Sequence, residues 1–242
     1  MSARGRGRYG VDAPGALTGL GLGAIGSLVA AGVAVKIRQR ILGLFLLISG
    51  LYSAASAASF GYTTLRGKFA VWAQVLDQLG LTGNELALDL GCGRGAVLTM
   101  VARMLPRGRV TGVDLWRAQD QSGNVPRATR QNAQAEGVAD RTDLVTADIR
   151  ELPFAAASFD VVVSSLAVHN INDPNGRIWA VSEAFRVLRP GGRLLIADFR
   201  HTDEYADTLR RLGALEVAVH DLGWRYWYGA PWFATRMVAA RK

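Results

Sequence analysis

The residues of this chain whose types and spacing could do chemistry are a glycine run and a set of aspartates that each close a short apolar segment. Leu86-Ala87-Leu88-Asp89-Leu90 ends in Gly91-Cys92-Gly93-Arg94-Gly95, and residues 97–105 then follow a helical pattern. A strand, a glycine turn and a helix N-terminus in that order bring backbone N–H groups close to a ligand, because glycine accepts positive φ and adds no side chain. Asp114 stands 19 residues after Gly95 and closes a second segment, Arg109-Val110-Thr111-Gly112-Val113. A carboxylate at that place can accept both hydroxyls of a ribose. Asp148 closes residues 143–147 and Asp198 closes residues 193–197 in the same way. The glycine loop reads G-x-G-x-G, so it does not meet the six-position register of a nicotinamide-binding domain.

The elements that must position these residues alternate. A fourth strand over residues 159–164 follows a turn at 153–158. A helical pattern through Trp179, Ala180, Ala184, Phe185 and Val187 leads to the turn Arg189-Pro190-Gly191-Gly192 and then the fifth strand. Strands alternating with helices imply an α/β, doubly wound, mostly parallel sheet that binds ligands at the carboxyl ends of its strands.

Residues 82–242 resemble a class I S-adenosylmethionine (SAM)-dependent methyltransferase, of the ubiquinone/menaquinone-type small-molecule kind. The resemblance rests on five ordered stretches: Leu88-Asp89-Leu90-Gly91-Cys92-Gly93-Arg94-Gly95; Gly112-Val113-Asp114-Leu115; Ala147-Asp148-Ile149 with Leu152-Pro153-Phe154; Ser158-Phe159-Asp160-Val161-Val162; and Arg186-Val187-Leu188-Arg189-Pro190-Gly191-Gly192. It implies a seven-stranded Rossmann-like sheet with an antiparallel last strand, the sixth and seventh strands falling near residues 215–220 and 233–240. It also implies SAM as cofactor, with Asp89 orienting the glycine loop and holding the amino acid end, Gly91 and Gly93 admitting the cofactor, Asp114 on the ribose, and Asp148 and Ile149 at the adenine. Leu115 and Trp116 are candidates for an apolar face against that ring, and Cys92 is a small packing residue of the loop.

Ser164-Ser165-Leu166-Ala167-Val168-His169-Asn170 resembles the region that such enzymes place near the methyl group, which puts Ser165 among the cofactor-binding residues. Many relatives carry two histidines there, and this chain has His169 followed by Asn170. Methyl transfer from a sulfonium is an in-line displacement that needs alignment and exclusion of water. A base is needed only when the acceptor must lose a proton. His169 is the candidate general base or acceptor-orienting residue, against the plainer reading of a loop histidine bonded to backbone. Asp120-Gln121-Ser122-Gly123-Asn124 is a candidate lid loop. Six aromatics between Trp224 and Phe233 either cover an acceptor or close the sheet edge.

Composition supplies the rest. Half of the 242 residues are hydrophobic and 20% are charged, which excludes a disordered chain. Residues 14–35 and 41–60 carry no charge, and each is long enough to span a bilayer as a helix. The short basic segment Lys36-Ile37-Arg38-Gln39-Arg40 between them fits a tight hairpin. Residues 1–60 hold +5 of the net +8 charge, so the basic character suggests anionic lipid before nucleic acid, and no nucleic acid partner is expected. Gly15, Gly19 and Gly23, and Gly50, Ala54 and Ala58, have the spacing that lets helices approach closely.

The expected organisation is a membrane anchor at 1–60, a helical connector at 61–81 and the methyltransferase domain at 82–242. With both ends cytoplasmic, Arg4, Arg6, Arg8, Arg66 and Lys68 face Lys36, Arg38 and Arg40 across the bilayer, which obeys the positive-inside rule weakly. A hairpin lying in the interface and a cleaved signal are the other readings. Cys92 is the only cysteine and the three histidines are scattered, so neither disulfides nor a metal site is expected. The function expected is methyl transfer to a small lipophilic acceptor at the cytoplasmic face of the cell membrane. The alternative is a membrane scaffold or sensor that binds SAM without transfer.

Overall fold

The computed structural model describes residues 5–117 and 121–242. Arg4, counted above for orientation, and Asp120 of the expected lid loop lie outside the described residues. The two uncharged segments form helices α1 (Pro14–Lys36) and α2 (Arg40–Tyr62), each long and apolar enough to cross a membrane. They pair as a hairpin whose tight turn places Arg38 at a φ of 64°. The helices meet at Gly43 and Gly50, where an added Cβ would strike Val35 at 2.8 Å and Leu28 at 2.7 Å. Only part of the expected small-residue seam is used. Ala58 is exposed, and Gly15, Gly19 and Gly23 have no neighbour within 4 Å of a built Cβ.

A π-helical turn, Thr63–Gly67, joins α2 without a break to α3 (Lys68–Gln78). Such turns are uncommon and concentrate at functional sites. Here the turn faces the C-terminal segment: the Thr63 hydroxyl donates to the Trp227 carbonyl at 2.6 Å, and Gly67 lies against the Arg225 carbonyl, where no side chain would fit. The segment expected as a connector is therefore the lower half of one rod, and Phe69, Val71, Trp72 and Leu76 of α3 are buried in the domain core.

The sheet has seven strands in the order β3-β2-β1-β4-β5-β7-β6. β1 (Leu86–Leu90), β2 (Arg109–Asp114), β3 (Thr142–Thr146), β4 (Phe159–Ser165) and β5 (Leu188–Asp198) are parallel. β7 (Arg236–Arg241) runs antiparallel to both β5 and β6 (Leu215–Asp221). Two strand starts differ from expectation by more than one residue. β5 begins before the Arg-Pro-Gly-Gly turn, with a register shift opposite Phe159 and Val161, and β7 begins three residues late because Pro231–Phe233 forms a 3-10 turn. One apolar core lies between the sheet and α3, α4 (Ala96–Met104) and α5 (Pro126–Ala135); the other lies under α6 (Pro174–Val187) and α7 (Thr202–Arg211). The strand order reverses between β1 and β4, so the carboxyl ends of these two strands border a crevice.

Candidate functional site

The glycine loop sits in that crevice because its backbone requires it. Gly91 has a φ of 67° and a side chain there would run into Ala167; Gly93 has a φ of 51° and faces the Gln121 amide oxygen. The Gly93 N–H donates to Asp114 Oδ2 at 2.8 Å, and Asp114 Oδ1 accepts from the Trp116 N–H and the Asn124 side chain. The β2-end carboxylate is thus pre-oriented by three donors at the mouth of the loop. Behind the loop, Asp89 is 1% exposed and its Oδ2 has no hydrogen-bond partner among the described residues. Burial, reinforced by the neighbouring Asp114, pushes its carboxyl well above the usual range.

An orphaned acid in the wall of a cavity that the glycine loop also lines fits the amino acid end of S-adenosylmethionine, whose ammonium would supply the missing donor. Asp148 follows β3 and lines the cavity, and Arg150 holds it in an ion pair of 2.6 Å that keeps its carboxyl low. Ile149 and Leu115 line the same cavity. The Trp116 indole is instead tied to Thr146 Oγ1 at 2.8 Å and lies outside the cavity wall. Cys92 is buried, and burial raises its thiol so that it packs as the neutral form.

His169 lies in the 3-10 turn after β4 and lines the cavity opposite the glycine loop. Its Nδ1 stands 2.7 Å from Asp198 Oδ1, an ion pair only when the imidazole is protonated. Asp198 is fully buried and accepts from the backbone N–H groups of His169 and Phe199. The Phe199 ring lies 4.5 Å from the imidazole. Ser165 meets the Tyr226 hydroxyl at 2.8 Å, and the Trp72 indole N–H points at both oxygens.

The roof of the cavity was not legible in the sequence. Asp12, ahead of α1, receives Lys68 Nζ at 2.7 Å, the Thr64 hydroxyl at 2.9 Å, the Tyr228 hydroxyl at 2.8 Å and the Gln121 amide at 3.0 Å. Burial works to raise the Asp12 carboxyl, but Lys68 and the Tyr228 and Thr64 hydroxyls outweigh it and hold it low. The arm before it is pinned across α4 and α5, with the Tyr9 hydroxyl between Thr99 at 2.7 Å and Glu136 at 2.9 Å. The C-terminal aromatics mostly dock on the long rod: Trp232 stacks on Tyr52, Trp224 on Tyr62, and Tyr228 meets Phe60 edge-on. Tyr228 and Phe233 also face the cavity, whose volume is about 910 Å³.

Part of this chain is similar to known proteins. Residues 88–196 match the family model described as a methyltransferase domain. The ubiquinone/menaquinone biosynthesis C-methyltransferase UbiE of Roseobacter denitrificans is 34% identical over 134 residues, covering 55% of this chain and 50% of that protein. The 27-O-demethylrifamycin SV methyltransferase of Amycolatopsis mediterranei is 34% identical over 150 residues, covering 60% of this chain and 52% of that protein. The chain thus spans about half the length of the curated relatives it matches. The geranyl diphosphate C-methyltransferase structure from Streptomyces coelicolor A3(2) superposes with a TM-score of 0.57 at 18% identity, over 74% of this chain and 80% of that one, and shares the fold. The orphaned Asp89, the oriented Asp114 and the glycine loop all lie inside the segment, residues 88–196, that matches the methyltransferase-domain model.

Proposed function

We propose that this chain is a membrane-anchored, SAM-dependent methyltransferase that transfers a methyl group to a small lipophilic acceptor at the cytoplasmic face of the cell membrane. The observation that carries the reading is one cavity lined together by Asp89, Asp114, the glycine loop, His169 and residues of the helical hairpin. When bound, SAM supplies a methyl group already activated on a sulfonium sulfur. The chain's own residues then have three tasks. Asp89, Gly93 and Asp114 hold the cofactor's polar groups. Ser165, Tyr226 and Trp72 fix the end of β4 beside them. His169 orients the acceptor and receives its proton where one must leave, with Asp198 offsetting the charge that the imidazole gains. Aromatic walls and the arm over the roof exclude water.

The anchoring is supported by Leu22, Ile25, Val29, Ile41, Phe45 and Ile48, large apolar side chains exposed on the hairpin. Relatives named for ubiquinone/menaquinone biosynthesis and for geranyl diphosphate are in keeping with a lipophilic acceptor. The test uses the full chain in lipid nanodiscs with methyl-labelled SAM and a membrane lipid extract. Label entering an extractable lipid, abolished by Asp114→Ala, is expected. SAM binding with no label transferred would overturn the enzyme reading in favour of a scaffold or sensor.

A further inference from the structure

The glycine stripe of α1 does not do what its spacing suggests. Gly19 and Gly23 face space in which a built Cβ meets no atom within 4 Å, whereas the helices touch at Gly43 and Gly50. These two glycines, with Ala16 and Leu20, line the same cavity as Asp89, Asp114 and His169. Ser53 and Phe60 of α2 and Phe233 of the C-terminal segment line it too. Gly19 and Gly23 are exposed as well as cavity-lining, so the cavity is open to the outside along this stripe. Leu22 and Ile25, at 66% and 63% exposed, flank the opening on α1, and Ile48 and Leu51 are exposed on α2. The mouth therefore lies within the apolar surface that the hairpin presents to its surroundings.

We propose that this limb of the cavity is a tail channel: an acceptor bearing a long apolar chain enters sideways from the bilayer, its chain along Ala16, Gly19, Leu20 and Gly23 and its head at His169. The inference deepens the proposed function and rests on it, since it assigns the hairpin a second task as a wall of the acceptor site. Residues 16–23 give a wall of about 10 Å at 1.5 Å of rise per residue. Bringing such a chain in from water would remove its apolar surface from water at a large gain, whereas a chain already in hydrocarbon gains little by the move. A lateral mouth thus loads the site without a deep affinity trap for the tail. Glycine at 19 and 23 keeps the mouth wide, since any larger side chain there would occupy the channel.

The test uses the full chain in nanodiscs of phosphatidylcholine and phosphatidylglycerol, with a long-chain n-alkanol carrying a chain-end diazirine as the probe. On irradiation, crosslinks are expected within residues 16–23 and 53–60, as well as on the outward Ile25, Val29 and Phe45. In Gly19→Leu and Gly23→Leu the inner crosslinks should fall roughly ten-fold, equivalent to about 1.4 kcal/mol, with the outward crosslinks unchanged. Both variants favour the helix intrinsically, and Gly19→Ala should keep most of the inner labelling. Labelling confined to the outward positions, or inner labelling unaffected by either leucine, would overturn the channel. SAM binding is titrated in the same nanodiscs. Its absence in the unmodified chain would overturn the proposed function and leave the labelling result readable by itself.

Discussion

His169 Nδ1 stands 2.7 Å from Asp198 Oδ1, joining the turn after β4 to the end of β5 inside the cavity. The pair sets one edge of the imidazole against Asp198. A base held this way should matter to transfer and not to cofactor binding. His169→Gln is expected to lower the rate of methyl transfer about 100-fold, the usual contribution of a positioned acid or base, with SAM affinity unchanged. Rate and SAM titration on the same preparation check it, and a parallel fall in both would instead make His169 part of the cofactor site.

Asp114 and Asp148 predict unequal losses. Asp114 is oriented by Gly93, Trp116 and Asn124 with no ion pair to it among the described residues, while Asp148 is already engaged by Arg150 in a partly exposed pair. Removing a charged hydrogen-bond partner costs about 1.5–3 kcal/mol, so Asp114→Ala should weaken SAM binding roughly ten- to a hundred-fold. Asp148→Ala should weaken it less. Calorimetric titration of both variants decides the order, and equal losses would mean that Arg150 releases Asp148 freely.

Asp89 predicts a pH dependence in the protein without SAM. Its carboxyl is held well above the usual range by burial, so it keeps a proton in the folded chain that it would lose near pH 3.9 when unfolded. Its contribution to stability is full below that pH and is lost as the pH rises through the folded value. Asp89→Asn has no such proton to lose. The variant should therefore gain on the unmodified chain as pH rises, by about 1–3 kcal/mol, the scale of an unsatisfied buried group, while losing SAM affinity. Denaturant unfolding in detergent at several pH values reads this, and a difference independent of pH would refute it.

The strand-end aspartates and the glycine loop were legible because each sits in a local pattern: an apolar run, a turn and a helix start fix where the side chain must point. The hairpin was legible from length alone. Asp198 was visible as a strand end, but its partner His169 is 29 residues away and the pairing depends on β4 lying beside β5. Asp12 meets Lys68 across 56 residues and Tyr228 across 216, distances at which no periodicity carries information. The π-helical turn that brings Thr64 and Lys68 to Asp12 breaks the helical period it interrupts. The α1 glycines gave a different lesson. Small residues at helix-pairing spacing record that room is needed on one face, and only the packed structure says whether a helix or a cavity fills it.

The Asp12–Lys68 pair predicts that the roof and the cofactor site are linked. Asp12 ties the arm to the rod through Lys68 and Thr64, and to the loop after β2 through Gln121, whose other amide atom accepts from the Arg94 N–H of the glycine loop. Lys68→Met leaves a mostly buried carboxylate with neutral donors only, which costs about 3 kcal/mol, the lower end for breaking a buried pair. The arm should then loosen: amide hydrogen exchange at Arg8 and Val11, whose N–H groups bond Asn132 and Ser122, is expected to accelerate, and SAM affinity to fall with it. Burial alone would raise the Asp12 carboxyl, but Lys68 and the hydroxyl donors hold it low, so the pair's contribution is present at neutral pH and lost as pH falls through the folded value, below the unfolded 3.9 or so. Acidification of the unmodified chain should therefore reproduce the exchange pattern of Lys68→Met, and Asp12→Asn combined with Lys68→Met should recover part of the loss by removing the stranded charge. Exchange at Arg8 and Val11 that ignores both the variant and the acid would show that Tyr9 alone holds the arm.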